Sequence, residues 1–111
     1  MAYDELLAHR IRELLADERG VRERKMFGGL AFLVGGHMAI AASGQGGVLV
    51  RVNPDQSDHL LKTTKAEMAV MRGRPMSGWL RVAPEHLRTE PQLRKWVQLA
   101  TDYCRTLSAK G

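Results

Sequence analysis

The chain has 111 residues, of which 44% are hydrophobic and 26% charged, the length and mixture of one globular domain with no room for a second core. Its single cysteine excludes an internal disulfide and suits a reducing cytoplasm; with no signal-like N-terminus and no apolar run near ~18 residues, a soluble cytoplasmic protein with no membrane association is expected. Seventeen Lys and Arg against twelve Asp and Glu leave a net charge of +5, which attracts polyanions but also simply keeps a small domain in solution.

The first element, Tyr3 to about Asp17, reads as a helix. Leu7, Ile11, Leu14, Leu15 and Glu18 share one stripe at helical spacing, Asp4 and Glu5 suit the positive end of its dipole, and Gly20 stops it. The rhythm then changes. Gly28-Gly29 and Gly35-Gly36 are two-residue turn signals between the apolar-rich runs Arg22–Phe27, Leu30–Val34 and His37–Ala42. A looser turn, residues 43–47, leads into Val48–Val52, where valines alternate with Leu49 and Arg51 as on a half-buried strand. This predicts an antiparallel meander of three or four strands.

Asn53-Pro54-Asp55-Gln56 is a helix start, with Asn at the cap and Pro in the first helical position. That short helix carries Leu60 and Leu61 and ends near Lys62. Two more strands are expected at Glu67–Met71 and Trp79–Val82, joined by a loop over residues 72–78. After Pro84, Thr89 and Glu90 open a long helix whose face, Leu93, Trp96, Val97, Ala100, Tyr103, Cys104 and Leu107, keeps the 3.6 period. The expected architecture is α+β, in the order α-β(3-4)-α-β(2)-α: one antiparallel sheet with helices on one face. A single domain over residues 1–111 is expected, with an ordered core over 3–107 and a free tail over 108–111.

The tetrapeptide Met26-Phe27-Gly28-Gly29, followed by a strand, a Gly turn and a second strand, resembles the hallmark of the TfoX/Sxy N-terminal domain. The later order is similar too: Gly73-Arg74-Pro75-Met76, the strand Trp79–Val82, Pro84-Glu85, then Leu93 and Trp96 on the last helix. The resemblance runs over nearly the whole chain and implies a two-layer α/β sandwich like that of secretion chaperones. It also implies a bacterial regulatory role, since the family is named for regulators of natural competence. Those act on transcription, in some cases with a cyclic-AMP receptor protein. They are similar to this chain only in their first half; their C-terminal, DNA-binding-like domain has no counterpart in these 111 residues. The family supplies no catalytic residues to carry over.

The residues themselves argue against an enzyme. No Asp or Glu occurs from Arg24 through Pro54, nor between Glu67 and Glu85, so the expected sheet offers no carboxylate pair for acid–base work. The four histidines are scattered; His9 beside Glu5 and Glu13, and His59 four after Asp55, give two-ligand arrangements where a metal site needs three or four. Cys104 falls on the apolar helix face and reads as core. The glycine pairs lead into strands, whereas a phosphate loop leads into a helix. No cofactor, metal or catalytic residue is expected.

What remains is a surface. With Val48, Val50, Val52, Leu80 and Val82 facing the helices, Leu49, Arg51, Trp79 and Arg81 face away, joined by Lys25 and His37 in one choice of register. Such a face, basic and aromatic without acids, suits an acidic protein partner or a nucleic-acid backbone with stacked bases; equally, Arg at mid-strand simply keeps an exposed face soluble, with Trp79 in the core. Arg72-Gly73-Arg74-Pro75 equals the core of an AT-hook, which reads the minor groove, and equally a turn between strands. Met68, Met71, Met76 and Trp79 form either an adaptable contact patch or core filling. The candidate interaction surface is therefore Lys25, Arg51, Arg72, Arg74, Trp79 and Arg81, and the expected function is a non-enzymatic interaction module working through a protein partner or self-association. The alternative is a small basic nucleic-acid-binding domain.

Overall fold

Each α-helix begins where the sequence supplies a cap. Helix α1 (Glu5–Leu14) starts behind Asp4, whose Oδ1 accepts the Leu7 N–H at 3.0 Å. Helix α2 (Pro54–Thr63) starts behind Asn53, whose Oδ1 accepts the Asp55 N–H at 2.9 Å. Helix α3 (Glu90–Arg105) has a reciprocal capping box between Thr89 and Gln92. The computed structural model describes residues 3–26, 28–71 and 73–107.

Between α1 and α2 run β1 (Val21–Met26), β2 (Gly29–Val34), β3 (His37–Ala42) and β4 (Val48–Arg51); β5 (Glu67–Met71) and β6 (Arg74–Val82) lie between α2 and α3. They form one antiparallel sheet in the order β1-β2-β3-β4-β6-β5. The expected α+β order is met, with all four meander strands present.

Helix α1 ends at Leu14 rather than near Asp17, and two further boundaries differ from expectation. Gly28-Gly29 is not a two-glycine turn: Gly29 already belongs to β2, paired with Met26. Gly28 has a φ of +76°, the left-handed region that glycine enters freely. Gly29 is needed for space, because a Cβ there would lie 2.3 Å from the carbonyl oxygen of Ala42. The second difference is at residues 72–78, expected as a loop. From Arg74 onward this segment is strand β6, Val70 pairing with Pro75 and Met71 with Arg74. Here β6 has run past the end of β4, whose last partner is Trp79. One side of the strand is thus outside the ladder, the situation in which a strand tolerates Pro.

Cross-strand partners share a face of the sheet. One row, Phe32, Ile40, Val50 and Leu80, is fully buried beneath the helices, with Leu30, Ala42, Val48 and Val82 in the row beside it. Ile11 and Leu15 of the α1 region, and Leu93, Trp96, Val97 and Cys104 of α3, close this core from above. The other face carries no helix.

Candidate functional site

On that uncovered face one row crosses all six strands: Arg24, Ala31, Ala41, Leu49, Arg81 and Glu67. A second row places Arg22 and Leu33 beside Met38, and Arg51 beside Trp79. Ala31 and Ala41 are buried although they lie outside the helix-side core. Ala41 lines a groove on this face.

Two cavities make up this groove, of about 340 and 360 Å³, and Met26, Met38 and Leu49 line both. The first extends toward Ala69, Val70 and Arg81. The second extends toward Leu33, Met76, Trp79, Arg24 and Arg51, with His37 and Gly36 at its margin. β1 and β6 are separated by three strands, about 19 Å in a flat sheet. Long side chains from both, Arg24 and Met26 of β1 and Met76 and Trp79 of β6, nevertheless line one cavity.

The electrostatics are one-sided. Arg24, Arg51 and Arg81 line the groove, and among the described residues no carboxylate lines either cavity. Glu67 stands opposite Arg81 in register, yet among the described residues no ion pair joins them. Arg51 is held firmly: its guanidinium carbon lies 5.4 Å from the Trp79 ring centre and 5.5 Å from that of Tyr103 on α3. Both are within cation–π range. The residue that ends β4 thus ties the groove to the last helix.

Of the expected surface, Arg51, Trp79 and Arg81 come together here. Lys25 does not: it pairs with Leu30, which puts it on the helix side of the sheet, and its neighbour Arg24 takes the groove position. Arg74 is exposed in β6 and lines neither cavity. Arg72 and Phe27 lie outside the described residues. Met76 and Trp79 are at the groove, whereas Met68 pairs with Leu80 on the covered face; the side chain of Met71 lies outside the description. Sequence reasoning missed Arg24, Met26 and Met38 as lining. The signal was present for the first two, since residues two apart in a strand share a face.

Other candidates resolve into surface and core. His9 Nε2 meets Glu13 Oε1 at 3.3 Å on the exposed side of α1, and among the described residues no three His, Cys, Asp or Glu converge on one point. Cys104 Sγ is buried against the carbonyl oxygens of Met38 and His37, at 3.6 and 3.9 Å. Burial pushes its thiol up, with Arg51 and Arg105 acting weakly the other way, the reverse of a reactive cysteine.

A family model, that of the TfoX N-terminal domain, matches residues 13–103. The chain belongs to the TfoX N-terminal domain family. The match includes all six strands and α2, and reaches well into α3. Among curated proteins none matches the chain. Among the described residues no helix is long and apolar enough to cross a membrane.

Proposed function

We propose that this TfoX N-terminal domain is a non-enzymatic regulatory module that works by holding a protein partner, or a second copy of itself, in the concave face of its sheet. The observation that carries this reading is the groove's lining: three methionines and Leu49 between arginines, with no helix over it. Methionine is unbranched and polarizable, adapts to varied shapes, and is favoured on surfaces that accept a partner. A concave apolar surface with a few convergent polar groups is the usual form of a binding site.

The test is site-specific photo-crosslinking in the host cell from Met38 or Met76 in the groove, with Gln98 on the exposed side of α3 as control. Nuclease-resistant protein adducts from the groove positions alone are expected. Equal adducts from Gln98, or adducts that vanish on nuclease treatment, would overturn the reading.

A second reading, nucleic-acid binding, is favoured by Arg24, Arg51, Arg81 and Trp79 sharing one face. Against it, the Trp79 ring already carries Arg51, so a base would compete for stacking with a guanidinium. Nucleic-acid binding would fall steeply with salt and collapse in the double variant Arg51→Glu/Arg81→Glu.

A further inference from the structure

We infer that the occupant of the groove is an acidic peptide segment of a partner protein, carrying leucine- or methionine-sized side chains among its carboxylates. The inference rests on the reading above and adds the chemistry of the partner. Its warrant is charge complementarity combined with shape. The apolar floor is split into two cavities that share Met26, Met38 and Leu49, and each is open enough to take an apolar side chain. The cations are distributed to match: Arg81 belongs to the first cavity, Arg24 and Arg51 to the second. A ligand that fills both cavities therefore meets positive charge at each.

A basic or neutral apolar segment would fill the same cavities but bring no carboxylate to the arginines, and a basic one would be repelled. A second copy of this chain is a poorer fit. Two concave faces brought together would set Arg24, Arg51 and Arg81 of one copy near the same residues of the other, with no groove carboxylate to relieve them. A nucleic acid has the charge but not the apolar side chains for the methionine-lined floor. The molecule measures 29 Å along its shortest axis, so an extended segment of about nine residues crosses it.

The experiment uses fluorescein-labelled synthetic peptides of about nine residues, each with two apolar residues flanked by Asp and Glu, by Ser, or by Lys. A single-stranded oligonucleotide of equal charge is run beside them. Anisotropy titrations at low and near-physiological salt are expected to show the acidic peptide binding best. It should weaken about tenfold in Arg51→Gln/Arg81→Gln, and by a similar factor in Leu49→Asp, with circular dichroism verifying that each variant folds. Equal or better binding of the Ser or Lys peptide would overturn the inference about charge while leaving a protein-binding groove in place. Tighter binding of the oligonucleotide would overturn both. Binding of none of the peptides would overturn the inference alone, since the crosslinking test of a protein partner stands apart from it.

Discussion

The two faces of this sheet are made from the same strands by the same alternation, yet they differ in kind. The covered face is built from Phe32, Ile40, Val48, Val50, Leu80 and Val82, all fully or almost fully buried, and most of them branched or aromatic side chains with few rotamers. The uncovered face uses Met26, Met38, Leu49 and Met76 where the groove opens. The first set fixes one packing; the second leaves a surface that can adjust. The comparison teaches that burial alone does not mark the core, because Ala31 is as buried as Phe32 and serves the opposite side.

The sharpest way to break this comparison is to truncate both sides. Phe32→Ala is expected to cost about 3–5 kcal/mol and Leu49→Ala about 1 kcal/mol or less, measured by denaturant unfolding. Equal losses would mean that the concave face is core as well. The motif glycines come next, because they hold the β1–β2 corner from which Met26 enters the groove. Gly29→Ala forces a Cβ into the Ala42 carbonyl and is expected to cost about 2–3 kcal/mol. Gly28→Ala meets open space but an unfavourable φ, for about 1 kcal/mol. If the order reverses, the close approach to Ala42 is not what the motif protects.

The smallest effects are pH-dependent and belong to the covered side. The folded-state pKa of Cys104 is raised by burial, so its contribution is complete below the unfolded thiol value, about 8.5, and is lost as pH rises from there through the folded value. Stability should therefore decline in mild alkali, and Cys104→Ala should flatten that decline. Glu23 behaves oppositely. Hydrogen bonds from Arg12, at 2.6 and 2.8 Å, hold its carboxyl below the usual carboxylate range. Its contribution is present above the unfolded value and disappears as pH falls through the folded one; Glu23→Gln should remove that part of the acid dependence. An unchanged alkaline limb in Cys104→Ala would assign the decline to other groups.

Local chemistry was legible in the sequence by itself. Asn53-Pro54 and Thr89 fixed two helix starts, because capping is decided within one turn of chain, and Gly35-Gly36 fixed a hairpin, because its turn needs positive φ at both positions. The period-2 pattern of Val48–Val52 already set Leu49 and Arg51 on the face away from the core. The family, too, was readable from Met26-Phe27-Gly28-Gly29 and the order of elements after it. Register was not. Whether Lys25 or Arg24 faces the groove is decided by the pairing of β1 with β2, in which Lys25 meets Leu30 of the covered face and Arg24 meets Ala31 of the other. That Met26 and Met76 line one cavity is likewise invisible along the chain, because strands far apart in sequence bring them together. Helix caps and hairpin turns are local contacts; a concave groove is made only by strands that tertiary structure brings together.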